Sequence, residues 1–346
     1  MILVTGGCGF IGSNFILNWL QVNDESIVNI DCMTYAGMGN NLSDIENDSR
    51  YFFALGDIRD RAFLRDILKK HKPRAVIHFA AESHVDRSID SPQCFIDTNI
   101  VGTFNLLEEA RDYWDSMGPQ SKTDFRFIHI STDEVYGSLK SDELPFEEKN
   151  RYKPNSPYAA SKASSDHIVR SYEKTYSFPA IISNCSNNYG PFQFPEKLIP
   201  LTIKKCLSLQ EIPIYGDGLQ IRDWLHVYDH CSAIELILQS GKPGEVYNIG
   251  GRNEQKNIEV VNAICDILDE LAPNASISSY KVLISFVKDR LGHDQRYAIN
   301  SEKISKELGW RPINTFEAGI RKTVAWYLDN SKWMDVIPYI NKSTEN

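Results

Sequence analysis

Tyr158 and Lys162 stand four residues apart in "YAASK", a spacing that sends both side chains off one face of a helix. A free tyrosine ionises near pH 10 and is a poor base at neutral pH (about 10). An ammonium beside it stabilises the phenolate, and the pair can then take a proton from an alcohol while a hydride departs to an acceptor. Upstream, "STDEVYG" at 131–137 follows the apolar run Phe125–Ile130 and sets Asp133 beside Glu134. Two carboxylates can divide the work of acid and base, and a hydroxyl from Ser131 or Thr132 can hold the reacting oxygen. Adjacent residues of an extended strand face opposite ways. Asp133 and Glu134 therefore reach one substrate only if the backbone turns after Thr132, and otherwise they are a polar loop.

The acceptor is written into "TGGCGFIG". Gly6, Gly9 and Gly12, with Phe10 and Ile11 between the last two, lie between a strand and a helix. Glycine there lets the backbone turn tightly and approach a pyrophosphate at the helix N-terminus. Asp31 follows Gly12 by 19 residues, at the end of the second strand. A carboxylate there accepts hydrogen bonds from ribose hydroxyls and repels a 2′-phosphate. No arginine occurs in "DCMTYAG", so NAD is favoured over NADP. Asp57-Ile58 and Ala80-Ala81 end the next strands, where they would flank the adenine and the second ribose.

Strand-like apolar runs alternate with helical patterns through the first half of the chain. "MILVTG", "SIVNID" to Asp31, "YFFALGD" to Asp57, "AVIHFAA" to Ala81, "FRFIHIS" to Ser131 and "PAIISNCSN" at 179–187 read as strands. Helices are expected at about 10–22, about 92–114 and from Pro157 to about 175, proline being well suited to a first turn. This alternation predicts an α/β fold with a Rossmann-type, doubly wound parallel sheet, whose ligands bind past the strand C-termini. After about 187 the chain is punctuated by Pro and Gly, with helices expected at 257–271 and 315–329. We read a smaller, interleaved α/β substrate-binding lobe there. The boundaries are 1–183 for the NAD-binding part, with a return at 224–252, and 184–223 with 253–340 for the second lobe. The tail after 330 has no assignment.

The 346 residues are 42% hydrophobic and 24% charged, an ordinary globular balance. The net charge of −9 argues against nucleic acid as main partner, although a few cations can still build a local anion pocket. No apolar run approaches a membrane span, and the chain opens on a strand, leaving no room for a leader. Seven scattered cysteines without a CxxC fit reduced thiols in the cytoplasm. His226 and His230 in "HVYDH" could present two metal ligands, but with no HExxH glutamate or third ligand in view no metal site is expected.

With these motifs in hand, the chain resembles the extended short-chain dehydrogenase/reductase family, and more narrowly its nucleotide-sugar 4,6-dehydratase branch, over about residues 1–328. The likeness rests on "TGGCGFIGSNF", "FAAESHVDRSI", "STDEVYG", "SPYAASKASSDH", "NCSNNYGPFQFPEKLIPL", "IRDWLHVYDH", "YNIGG" and "DRLGHDQRY". The first and fourth are shared across the extended family; "AESHVDRS", the Asp-Glu pair and "NNYGPFQFPEKLIP" are more specific. The resemblance implies three steps on dTDP-glucose: oxidation at C4 by Tyr158 and Lys162, loss of water across C5 and C6 with Glu134 as base and Asp133 as acid, and return of the hydride to C6. It adds Thr34, Ser83, Thr98 and Asn188 to the cofactor contacts. For the nucleotide sugar it implies Lys197, Arg222, Arg290 and His293 at the phosphates. Asn187, Asn257 and Tyr215 would contact phosphate, ribose or base, with Pro213 at the thymine, Leu198 alongside, and Ser83 and Thr132 at the glucose hydroxyls. It also implies a homodimer paired through the 92–114 and 157–175 helices, and a place in rhamnose-type deoxysugar synthesis. A UDP-glucose dehydratase, or a UDP-sugar epimerase or decarboxylase, is the competing reading. Those last two enzymes share the glycine loop and the Tyr-Lys pair but have no need of the carboxylate pair.

Overall fold

A computed structural model describes residues 1–335; the end of the second-lobe span, 336–340, lies outside them. Six strands precede the change in pattern: β1 (Ile2–Thr5), β2 (Ile27–Asp31), β3 (Tyr51–Leu55), β4 (Ala75–His78), β5 (Arg126–Thr132) and β6 (Ala180–Cys185). Six more follow: β7 (Asn187–Tyr189), β8 (Ile212–Tyr215), β9 (Ile221–His226), β10 (Val246–Ile249), β11 (Glu254–Lys256) and β12 (Ile284–Val287). Seven of them form one sheet in the order β10-β6-β5-β4-β1-β2-β3, with every pairing parallel. The fold is thus the doubly wound Rossmann type. Chain order reverses beside β1, so the crevice between β1 and β4 is where a ligand fits.

Parallel strands covered on both faces must be apolar throughout, and Ile2–Thr5, Ile27–Asp31 and Ala75–His78 are buried along their whole length. One face is covered by the Phe10–Val22 and Val227–Ser240 helices, where Phe15, Ile16 and Trp19 share a core with Val227, Ile234 and Ile237. Helices Arg61–His71, Thr103–Asp115 and Pro157–Tyr176 cover the other face through Leu64, Leu68, Leu106, Leu107 and Val169. A second core, including Ile199, Ile203, Val260, Ile264 and Val324, holds the smaller lobe. The Val227–Ser240 helix leads the chain back to β10 at the edge of the large sheet, register Val246 to Ile182.

Three local differences from the sequence expectation matter to the site. The run at 179–187 is not one strand. It breaks at Ser186, and Asn187–Tyr189 pair instead with Trp224–His226 of β9, in a three-stranded sheet with β11. Trp224–His226 accordingly sit in that small sheet. The helix expected at about 92–114 winds in three parts: an α turn Pro92–Phe95, a widened π segment Ile96–Gly102, and an α-helix Thr103–Asp115. The widened turn, of a kind that recurs at functional sites, presents Asn99, whose amide exchanges hydrogen bonds with the Glu82 backbone at 2.8 and 3.0 Å. Finally, the apolar runs at "YFFALGD" and "AVIHFAA" leave the sheet early, at Leu55 and His78, so Asp57 and Ala80-Ala81 stand in loops over the crevice.

Candidate active site

One cleft runs along the C-terminal ends of β1, β2, β4 and β5. Its lining takes in Gly6, Gly9, Phe10, Ile11, Gly12, Asp31, Thr34, Asp57, Ile58, Ala80, Ala81, Ser83, Thr98 and Asn188. Gly6 adopts φ +72°, and a Cβ on it would lie 2.6 Å from the Ala80 nitrogen; one on Gly12 would lie 2.4 Å from the Gly6 carbonyl oxygen. The glycine loop therefore packs with no room for side chains, and its surface against the cleft is bare backbone ahead of the Phe10–Val22 helix. That cradle fits a pyrophosphate. Asp31 is buried and each carboxylate oxygen accepts a backbone amide, from Cys8 at 2.9 Å and Met33 at 2.8 Å. Burial raises its pKa, against those hydrogen bonds. Arg59 also lines the cleft, and its guanidinium is held by Asp57 at 2.7 Å.

The same cleft contains Thr132, Asp133, Glu134, Tyr158 and Lys162. Strand β5 stops at Thr132 and the chain turns at once into a 3₁₀ turn, Asp133–Tyr136, capped by the Thr132 hydroxyl accepting from the Glu134 amide at 3.3 Å. This is the turn the sequence required, and it leaves both carboxylates on the cleft wall. Gly137 ends it at φ +89°, where a Cβ would come within 2.3 Å of the Lys153 carbonyl oxygen.

The two carboxylates are not equivalent. Burial raises the Asp133 pKa well above the usual carboxylate range, with Glu134 and Asp223 adding to the shift and Arg222 opposing it. Its Oδ2 is buried with no hydrogen-bond partner. Such an oxygen is least costly when protonated and aimed at a ligand. Glu134, half-buried, is also raised by burial, but three cations, Arg290, Lys197 and Arg222, pull it back. Environments that separate two carboxyl groups in this way set one as acid and one as base.

Tyr158 departs from the simple expectation. Burial lifts its pKa well above 10, and Glu134 lifts it further; the Thr132 hydroxyl works the other way. Lys162 donates to the Ile130 carbonyl at 2.8 Å, and burial lowers its pKa to about 8. The phenol is thus a weaker acid than free tyrosine, and the phenolate needs further positive charge.

Of the residues expected at the nucleotide sugar, Ser83, Thr132, Asn187 and Lys197 line the cleft. Asn187 has a buried, unpartnered side-chain oxygen, and Lys197 reaches the Ser83 carbonyl at 2.8 Å. Leu198, Pro213, Tyr215, Arg222, Asn257, Arg290 and His293 lie beyond that lining. Several of them still form one group. Tyr215 and Arg290 both contact Asp86, at 3.3 and 3.4 Å, and His293 stands edge-on to Tyr215 while holding Asp289 at 2.6 Å. Arg222 is buried, stacked 4.3 Å over Tyr297, and donates to the Asp294 carbonyl at 3.0 Å. Pro213 sits in β8, opposite Ser285 of β12, and Asn257 opens the Asn257–Leu271 helix.

Sequence reasoning passed over Glu82 and Glu196 on the cleft wall. Glu196 accepts from the Tyr35 hydroxyl at 3.2 Å and lies 3.4 Å from Arg87, which stacks on the Tyr35 ring. Only "FPEK" pointed to it, as the neighbour of Lys197. Among the described residues no cluster of His, Cys, Asp and Glu could hold a metal ion, and no helix is long and apolar enough to cross a membrane.

Comparisons with known proteins agree on the family. A family model described as GDP-mannose 4,6 dehydratase matches residues 3–323. A dTDP-glucose 4,6-dehydratase from Salmonella typhimurium is 56% identical over 342 residues, covering 96% of this chain and 94% of that protein. The crystal structure of a dTDP-glucose 4,6-dehydratase from Bacillus anthracis in complex with NAD is similar with a TM-score of 0.85 and 45% identity, over 97% of this chain and 99% of that one. One from Streptomyces venezuelae, with NAD and a second ligand bound, gives 0.87 and 43% over the same shares.

Proposed function

The chain belongs to the 4,6-dehydratase family of nucleotide-sugar enzymes, and on that premise we propose that it is an NAD-dependent hydro-lyase converting dTDP-glucose to dTDP-4-keto-6-deoxyglucose and water. The observation that carries this is the turn after Thr132, which sets Asp133 and Glu134 on the cleft that also contains Tyr158 and Lys162. An epimerase or decarboxylase has work for the second pair but none for the first.

Tyr158 takes the C4 hydroxyl proton, with the Thr132 hydroxyl beside the reacting oxygen. Lys162 offsets the burial that opposes a phenolate, and the nicotinamide cation of NAD would add to this when bound. Bound NAD supplies the hydride acceptor at C4 and the hydride donor to C6. Glu134, kept ionisable by Lys197, Arg222 and Arg290, removes the C5 proton that the 4-ketone has acidified. Asp133, protonated through burial, gives its proton to the departing C6 hydroxyl. Arg222, Arg290 and Lys197, with His293, meet the diphosphate; arginine can grip its oxygens in bidentate fashion. Asn187, Asn257 and Tyr215 contact phosphate, ribose or base, with Pro213 and Leu198 beside them and Ser83 at the glucose. In this reading 1–183, with the return through the Val227–Ser240 helix to β10, serve chiefly the cofactor, and 184–226 with 253–335 serve chiefly the sugar nucleotide. The product feeds rhamnose-type deoxysugar synthesis in the cytoplasm, in keeping with seven cysteines that are all free.

The closed hydride cycle gives the test. Incubated with dTDP-glucose and no added nicotinamide, the protein is expected to accumulate the ketosugar chromophore in alkali while reduced nicotinamide does not accumulate. UDP-glucose, one methyl short, is expected to turn over about fourfold less efficiently or worse, the ~0.8 kcal/mol of a buried methyl. Reduced nicotinamide rising in step with product would sink the cycle, and a preference for UDP-glucose would sink the base assignment.

We place the protein as a homodimer. Ile96, Val101 and Phe104 are 44%, 43% and 39% exposed along the Pro92–Asp115 run, and Tyr176 is 46% exposed at the end of the Pro157–Tyr176 helix. Exposed large side chains on these two helices are the material a pairing face would use. Light scattering at micromolar concentration should give twice the chain mass, and a monomer mass refutes the pairing.

A further inference from the structure

Tyr158, Lys162 and Asp166 follow one another at four-residue spacing on the Pro157–Tyr176 helix, so the stripe that carries the tyrosine and lysine continues into a buried carboxylate. Asp166 Oδ2 accepts from the Ser131 hydroxyl at 2.8 Å. Its Oδ1 lies 3.2 Å from His129 Nε2 and has no hydrogen-bond partner. The same Nε2 is 3.5 Å from Lys162 Nζ. One imidazole nitrogen therefore lies close to both the ammonium and the carboxylate, and the Ile130 carbonyl accepts from the ammonium. A buried ammonium needs a nearby anion to stay charged.

The groups facing Lys162 come from four elements. From β4 comes His78, held between Thr5 at 2.7 Å and Thr103 at 2.9 Å; from β5 comes His129. Burial pushes both histidines well below their usual range, so both are neutral. From β6 comes Cys185, whose thiol burial pushes far up. From the helix itself comes Asp166, with Tyr158, also pushed up, one turn before Lys162. Around Asp166 stand Ser131, Tyr152 and His167 besides Lys162. Among the described residues facing the ammonium, Asp166 is thus the one that ionises in the neutral range.

We infer that Asp166 is the counter-ion that keeps Lys162 charged one helical turn from Tyr158, a positioning residue for the oxidation step; the inference rests on the function proposed above. Burial draws Lys162 down to about 8 and Asp166 opposes it; burial draws Asp166 up to about 6 and Lys162 opposes that. Both charges coexist between those values. Without the carboxylate, the lysine gives up its proton at lower pH, and the alkaline limb of the oxidation must move the same way.

The test is Asp166→Asn in the full chain, which keeps the shape and an acceptor for Ser131. With lysines carbon-13 labelled at Cε, the resonance lost in Lys162→Met identifies Lys162 in NAD-free protein. Its midpoint, about 8 in the parent, is expected to fall by about one pH unit or more in Asp166→Asn, the size of shift a close opposite charge produces. Single-turnover oxidation by the NAD-loaded variant should match the parent near pH 6 and be about tenfold slower a unit above the parent's midpoint, in proportion to the lost ammonium. An unmoved lysine midpoint, or an equal loss at every pH, overturns the inference. Should Asp166→Asn fail to fold, Ser131→Ala removes the hydroxyl that holds the carboxylate and should move the midpoint in the same direction by less; no movement there overturns it too. If Tyr158→Phe still oxidises the sugar, the role proposed above for Tyr158 as base is what fails. If it blocks oxidation while the lysine midpoint stays put in Asp166→Asn, the inference alone fails.

Discussion

Glu134→Gln and Asp133→Asn are expected to oxidise dTDP-glucose and then stall before water leaves. Both substitutions spare Tyr158 and Lys162, so the first step survives and the absorbance of reduced nicotinamide should rise in a single turnover and persist. The two variants should differ in a second measurement. In deuterated water Glu134→Gln exchanges the C5 hydrogen far more slowly than the parent, because the base is gone. Asp133→Asn keeps more of that exchange and is slow in losing the C6 hydroxyl, because it has lost the acid. Each elimination rate should drop by about 10²–10⁴-fold, the usual worth of a positioned proton donor or acceptor. The pH dependence follows from the environments. Burial raises Asp133 well above its usual value, which favours the protonated form that an acid needs. Glu134 is raised less firmly because three cations oppose the shift, and activity is lost on the acid side as Glu134 takes up a proton. If both variants release water at nearly the parental rate, the pair is a polar loop and the dehydratase reading falls.

Part of this was readable in the residues because local chemistry dictated it. The glycine loop is a steric statement, since any Cβ at Gly6 or Gly12 meets backbone, and sterics of that kind leave a fixed spacing. The parallel sheet showed as runs such as "MILV" and "AVIH", because strands buried on both faces cannot alternate. The turn after Thr132 could not be read from periodicity. It depends on one capping hydroxyl and on Gly137, and both also occur in ordinary strands. The break at Ser186 was hidden because "SNCSNNY" continues the polarity of the strand before it, and only the pairing of Asn187 with Trp224 shows that the chain has left the sheet. Asp166 was in plain view at the next four-residue step after Lys162. Its meaning needed β5, which brings Ser131 and His129 against it. Asp86, which joins Tyr215 to Arg290, needed contacts across more than a hundred residues.

Tyr158→Phe should block the oxidation itself. The substitution removes one hydroxyl and leaves the ring, which packs edge-on to Phe95 at 6.3 Å, so folding and NAD binding are expected to hold. Reduction of bound nicotinamide by dTDP-glucose should fall by about 10²–10⁴-fold, the range for a lost general base, with the nicotinamide still bound. The tyrosine is a demanding base, since burial and Glu134 both raise its pKa against the Thr132 hydroxyl, and a nearby cation is needed to bring it down further. Lys162 is one such cation, and because its own pKa is lowered to about 8, its charge is present below that pH and lost above it. The oxidation should therefore weaken as pH rises through about 8, although a free tyrosine would become a better base there. Glu134 is the rival, because it is close enough to raise the tyrosine's pKa. A Tyr158→Phe protein that reduces its nicotinamide within about tenfold of the parent would move the base to Glu134. The double variant with Glu134→Gln would then be the one that is inert.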